Sequence, residues 1–304
     1  LFLLIYRFAS VRNFKVLLLA LIIPGGLWHM ALGPSFFTRK EILFLLLFAL
    51  LCLNYLYILR VSNRRKAYYL GLFVLISILG GALLELVHEG YLFMGLPITT
   101  LLYWILIKEN PNNRRLMQIG WAVYAGLVTG LFILSVFHHG SANTAQIIWD
   151  NLPLADRLVL APSAPYTVYG TIGGIGWGLR QHLSTIYGVF ATGGIWFWLF
   201  FAIGNSLLLS YVALQIATHQ SSGFTSRYLK LVAIGFVTSL GMLFIGSDWG
   251  RWLAAAGNQT LLLALTLNQS PYAREAIPIS SQSGALCKPL QTRLLSFILS
   301  SIFA

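Results

Sequence analysis

The sequence predicts an all-α fold, a polytopic transmembrane helix bundle of about eight spans with one long extracytoplasmic loop. Two observations predict it: 58% of the 304 residues are hydrophobic and only 9% are charged, and the apolar residues lie in long runs. A soluble domain carries roughly 25% charged residues, and a helix needs about 20 apolar residues to cross a bilayer. We therefore expect residues 1–304 to form one transmembrane domain in a lipid bilayer.

Eight apolar runs approach or exceed that length. They occupy residues 16–33, 42–59, 67–87, 91–107, 116–137, 185–217, 229–245 and 253–267. Pro24 and Pro97 interrupt two of the runs and predict kinks, because proline removes a backbone hydrogen-bond donor. The long loop covers residues 138–184 and is expected to hold a short amphipathic helix at 143–152. Residues 269–304 form a tail. The chain opens in mid-apolar sequence without methionine, so we expect its natural N-terminus to be missing.

The placement of charge predicts the orientation of the bundle. When the connections are assigned alternately to two sides, one side receives five of the twenty Lys and Arg residues, and the other receives the rest. The five are Arg39, Lys40, Arg157, Arg180 and Arg251. Since loops rich in Lys and Arg stay in the cytoplasm, we expect both observed ends, including the tail, to be cytoplasmic. The alternation explains the net charge of +12 without nucleic acid, whose footprint is one continuous basic face.

The third span ends in three ionisable residues on the expected outer side, Glu85, His88 and Glu89. Their spacing of i, i+3 and i+4 places them on one face of a helix, which favours a general base or a proton relay. The alternative is an ordinary helix end at the membrane interface. Glu85-x-x-His88 matches half of a di-metal carboxylate motif, whose second copy is not found, so neither a metal nor another cofactor is predicted.

A short connection, residues 246–252, joins the last two runs at the outer surface. Arg251 is predicted to clamp an anion with two parallel hydrogen bonds, and Asp248 to orient it or act as an alternative base. Trp249 and Trp252 flank the pair and suit contact with sugar or lipid. The alternative is a structural turn in which Asp248 caps the following helix.

Arg180 and His182 precede the sixth run, after a glycine-rich approach. As a pair they are predicted to bind a phosphate and to move a proton. The glycine-rich patch at residues 170–178 lacks the lysine of a phosphate-binding loop, which argues against nucleotide binding. Arg39, a basic exception on the outer side, is predicted to attract an anionic substrate.

These motifs resemble bacterial O-antigen polymerases and ligases, polytopic membrane proteins of polysaccharide biosynthesis. The likeness rests on the long loop that ends in Arg180-x-His182, followed by Gly188 and Gly193-Gly194, and on the turns His88-Glu89-Gly90 and Asp248-Trp249-Gly250-Arg251. The chain has Leu183 where the ligases usually have asparagine. The resemblance implies an inner-membrane enzyme that joins sugars carried on polyprenyl diphosphate at the outer face, without nucleotide sugars or an essential metal.

The first hypothesis is therefore a glycan polymerase or transferase acting on a lipid-linked oligosaccharide. Arg251, Arg180 and Arg39 would neutralise the leaving diphosphate, and Glu89 or His88 would take the proton of the acceptor hydroxyl. A transporter or flippase for an anionic or lipid-linked substrate is the second hypothesis, and a non-catalytic membrane assembly subunit is the third. The sequence leaves the sugar, the acceptor and the oligomeric state open.

Overall fold

The structure, a computed structural model, describes most of the chain between residues 41 and 274. It covers residues 41–88, 90–138, 140–161, 163–167 and 179–194, single positions between 172 and 210, and residues 222–241 and 249–274. Within these ranges the structure is all-helical and contains no strand, which confirms the predicted all-α class. The first predicted span, residues 16–33, and most of the tail lie outside the described residues.

Four helices follow the apolar runs between residues 42 and 137 closely, whereas eight spans are not established by the described residues. The helices are α1 (Glu41–Arg60), α2 (Asn63–Val87), α3 (Tyr91–Glu109), α4 (Arg114–Phe137, after a 3-10 turn at Pro111–Asn113), α5 (Ala142–Asp150), α6 (Leu154–Leu160), α7 (Leu179–Ala191), α8 (Ser222–Ser239), α9 (Trp249–Leu267) and α10 (Pro271–Arg274). Of the part of the chain that the structure describes, α1 to α4 are long and apolar enough to cross a membrane. The chain is thus a membrane protein by helix length and composition.

Helix α3 lies at the centre of the packing, in contact with α1, α2, α4, α8 and α10, while α9 packs against α1 and α8. Helices α2 and α4 approach closely because glycines face their partners. A Cβ atom on Gly81 would lie 2.4 Å from Cε2 of Tyr124, and one on Gly120 would lie 2.6 Å from Cγ2 of Val74. The core between the helices is apolar and buried, with Leu51, Phe73 and Leu102 among its members.

The two ends of the bundle are chemically different. At one, the histidine end, His88 follows α2 and lies against residues near the starts of α1 and α9. At the other, the glutamate end, Glu109 closes α3 and lies against residues near the ends of α1 and α9. Helices α1 and α9 therefore run from the histidine end to the glutamate end, and α2 runs back. The predicted outer side corresponds to the histidine end.

The long connection and the sixth run differ in detail from the sequence prediction. The predicted amphipathic helix is present as α5, whose N-terminus is capped by Ser141 Oγ accepting from the Thr144 amide at 3.1 Å. A second helix, α6, was not predicted. Helix α7 begins at Leu179, before the predicted start of the sixth run, and ends at Ala191. It ends there because Gly193 has φ of +74°, a left-handed conformation that glycine adopts readily and that terminates helices.

Candidate functional site

The turn after α2 fixes the position and the tautomer of His88. The helix ends at Val87, and His88 has an extended backbone with φ −164° and ψ 118°. The prediction that helical spacing places His88 on one face with Glu85 is therefore wrong, since His88 has already left the helix. The Gly90 amide donates to His88 Nδ1 at 3.1 Å. Because Nδ1 accepts, the neutral imidazole carries its proton on Nε2.

Two aromatic rings hold the imidazole from other helices. The ring of His88 lies 6.0 Å from that of Phe44 on α1 and 5.5 Å from that of Trp252 on α9, both edge to face. Trp252 is only 3% exposed, so its ring supports His88 from within the core and offers no open face for sugar stacking. His88 and Trp252, two predicted site residues that are far apart in the sequence, therefore meet at the histidine end.

Glu85 lies in the last turn of α2 and is 2% exposed. Tyr91, at the start of α3, has its hydroxyl in a 2.9 Å hydrogen bond with that of Tyr124. The ring of Phe44 lies 5.2 Å from that of Tyr91 and so links this group to His88. Burying a carboxyl group in a membrane bundle is costly, and such groups are by default candidates for function.

The arrangement combines a hydrogen-bond donor with a carboxyl group. In the tautomer set by Gly90, His88 Nε2–H donates to an anion more readily than the ring accepts a proton. This tautomer does not favour the predicted use of His88 as the proton acceptor. Glu85 and His88 are also residue types that bind metals, but in the described residues no group of three or more His, Cys, Asp or Glu side chains gathers.

The other predicted site residues are placed less completely. Glu89, Asp248 and Arg39 lie outside the described residues. Trp249 and Arg251 lie in the first turn of α9, next to Trp252, and the structure describes only their backbone. His182 is likewise described only by its backbone, in α7. Arg180 is exposed at the start of the same helix, and no described contact joins it to His88.

A second polar cluster, at the glutamate end, was not predicted. Glu109 accepts hydrogen bonds from Tyr55 Oη at 2.9 and 3.0 Å, from Ser270 Oγ at 2.5 Å and from the Tyr272 amide at 3.1 Å. Arg227 donates to the Tyr272 carbonyl at 2.8 Å, and its guanidinium lies 4.7 Å from the centre of the Tyr272 ring. With so many donors on one carboxylate, the cluster fits a structural tie between α1, α3 and the segment after α9.

The sequence contains one signal for this cluster. Glu109 is an acidic residue within a strongly basic connection, beside Lys108 and close to Arg114 and Arg115. Its partners stand 54 and 161 residues away along the chain, so local patterns could not identify them. Among known proteins, no family model, no curated protein and no solved structure matches this chain.

Proposed function

We propose that the protein is a glycan polymerase or transferase that acts on sugars linked to polyprenyl diphosphate, with its reaction centre at the histidine end. The observation that carries the proposal is the contact of His88 with Trp252, at the end of the helix that also holds the buried Glu85. It brings the turn after α2 and the start of α9 together, and Arg251 belongs to that start. A proton acceptor and an anion-binding group are what transfer from a diphosphate carrier needs.

In the proposed reaction the acceptor hydroxyl oxygen attacks the anomeric carbon of the lipid-linked sugar. The bond from that carbon to the diphosphate oxygen breaks, and its electron pair leaves with the diphosphate. The hydroxyl proton passes to Glu89, and the buried Glu85 would receive it only through a relay, since that carboxyl is 2% exposed. His88 Nε2–H and the guanidiniums of Arg251 and Arg180 stabilise the departing charge, the contribution that is usually largest in such reactions.

The proposal is tested with the full chain in vesicles that contain a polyprenyl-diphosphate oligosaccharide. The size of the labelled glycan is followed by gel electrophoresis. Glu85→Gln and His88→Gln are each expected to slow chain growth by about 100-fold or more, the usual effect of removing an acid–base or charge-stabilising group. His138→Gln is the matched control, because His138 is an exposed histidine after α4 that contacts only the Leu134 carbonyl among the described hydrogen bonds.

Growth at the unmodified rate in both site variants, with normal membrane insertion, would contradict the enzyme proposal. Equal loss in all three variants would show damage that is not specific to the site. Arg251→Ala and Glu89→Gln extend the test to the residues whose side chains are not described. They are expected to abolish polymer formation while the protein still inserts.

Transport of a lipid-linked or anionic substrate is the second candidate, and the burial of Glu85 beside Tyr91 favours it. Carboxyl groups inside transmembrane bundles often bind coupling protons or line substrate paths. The same vesicles separate the two candidates. An enzyme increases the mass of the labelled sugar, whereas a transporter moves the label across the bilayer at constant mass, and Glu85→Gln would then stop the movement.

A further inference from the structure

Four arginines form a basic patch at the glutamate end, where α2 and α4 begin. Arg64 and Arg65 lie in the first turn of α2, and Arg114 and Arg115 in the first turn of α4. All four are exposed, and neither helix has an acidic residue in its first turn. These four residues are the arginine patch.

The two arginine pairs begin neighbouring parallel helices, α2 and α4. Val74 of α2 faces Gly120 of α4, where a Cβ atom would approach to 2.6 Å. At a rise of 1.5 Å per residue, the distance along the helix axis from Arg65 to Val74 is about 6 Å longer than the corresponding distance from Arg115 to Gly120. The pairs are therefore offset along the bundle axis by only about one helical turn.

No described carboxylate neutralises the arginine patch. In the described part of the chain, the ion pair between Arg157 and Asp150 lies elsewhere, after α4, and none of the four arginines takes part in one. Glu109 lies at the same end, but it is already bound by Tyr55, Ser270 and Tyr272. Four like charges at the starts of two neighbouring helices repel one another, and an external anion would relieve the repulsion.

A group of tyrosines marks the depth of the patch. Tyr57, Tyr68 and Tyr69 contact one another, with ring centres 6.2 Å apart for Tyr57 and Tyr69 and 5.3 Å for Tyr68 and Tyr69. Tyr57 is 50% exposed and Tyr68 is 70% exposed. Exposed tyrosines on spanning helices lie at the level of the lipid headgroups. Since Arg65 precedes Tyr68 by less than one turn, we expect the patch at the level of the headgroup phosphates.

We infer that the arginine patch binds the phosphate groups of anionic phospholipids in the adjoining leaflet. Guanidinium groups match phosphate oxygens with paired hydrogen bonds, and clusters of Lys and Arg beside spanning helices are attracted to anionic lipid surfaces. The inference concerns the end opposite to the proposed reaction centre and does not depend on it. The inference goes beyond the orientation of the protein in the membrane. Orientation requires an excess of positive charge on one side, but it does not require four arginines at the starts of two neighbouring helices.

The test uses the full chain purified in a neutral detergent and titrated with phosphatidylglycerol or phosphatidylcholine. Bound lipid is counted by native mass spectrometry, and the unfolding temperature is recorded in parallel. The unmodified protein is expected to retain phosphatidylglycerol selectively and to unfold at a higher temperature in its presence. The double variants Arg64→Gln/Arg65→Gln and Arg114→Gln/Arg115→Gln are each expected to weaken retention roughly tenfold or more, and the matching Arg→Lys pairs to keep part of it.

The control is Lys108→Gln/Lys230→Gln, which removes two exposed charges at the same end but outside the patch. Unchanged retention in this control with loss in both arginine variants supports the inference. Equal retention in all variants overturns it, as does an equal loss in the control, which would indicate a diffuse charge effect. An equal rise of the unfolding temperature with inorganic phosphate alone would also overturn it, because the site would then take a soluble anion.

Discussion

At the scale of single residues, the histidine end depends on a glycine that makes room for an aromatic ring. Tyr91 lies directly over Gly95, one turn further along α3, and a Cβ atom there would lie 2.0 Å from Cε2 of that ring. The ring is held by the hydrogen bond to Tyr124 and by contact with Phe44. Phe44 in turn packs on His88, so a methyl group at Gly95 would disturb the surroundings of the imidazole.

We predict that Gly95→Ala lowers stability by about 1–3 kcal/mol, the usual cost of forcing extra volume into a packed core. Gly126→Ala is the matched control, because the space beside Gly126 is open and alanine favours a helix over glycine by up to about 1 kcal/mol. Thermal unfolding in detergent measures both. A Gly95→Ala protein as stable as the Gly126→Ala protein would show that the Tyr91 ring moves aside at no cost.

At the scale of elements, hydropathy predicted α1 to α4 to within a few residues, because helix length and apolar content are local properties. The ends set by tertiary contacts were harder to predict. Helix α2 ends at Val87, so His88 already lies outside it. Gly193 terminates the helix within an apolar run that the sequence predicts to be one long helix. The tie at Glu109 was missed for the same reason: its donors come from α1, from Ser270 just before α10 and from Tyr272 within α10.

This tie gives a prediction about α10. Removing the Tyr55 hydroxyl deletes a donor to a carboxylate, and hydrogen bonds to charged groups contribute about 1.5–3 kcal/mol. We therefore expect Tyr55→Phe to lower the unfolding temperature and to speed tryptic cleavage after Arg274, at the end of α10. Tyr57→Phe, on the same helix but half exposed, should change neither. If both variants behave like the unmodified protein, the Glu109 cluster does not hold α10 in place.

At the scale of the whole molecule, the sequence predicted a bundle with chemically distinct ends, and the described helices have that arrangement. Which end faces the cytoplasm stays a prediction, because it rests on the distribution of Lys and Arg alone. The site could be predicted only in part. Residue types and turns identified His88 and Trp252, whereas their mutual contact and the burial of Trp252 depend on how α1, α2 and α9 pack.

The sidedness can be measured with single cysteines and a reagent that does not cross membranes. All variants carry Cys287→Ser. Cys52 is kept, because it is buried and should not react with the reagent. Ser141→Cys, after α4, should be labelled from outside the cell, and Asn112→Cys, before α4, only after the membrane is opened. Labelling of both from the same side would show that α4 does not cross the membrane, and the reverse pattern would invert the predicted orientation.

The long-range tie at Glu109 has a consequence for biosynthesis. The chain is made from its N-terminus, so Glu109 emerges 161 residues before Ser270, an interval on the order of 10 s or more at about 5–20 residues per second. During that interval the carboxylate lacks the partners that follow α9. Its capture by Ser270 and Tyr272 would mark the completion of the bundle, and nascent chains arrested before that point would keep an open polar junction that membrane proteases could recognise.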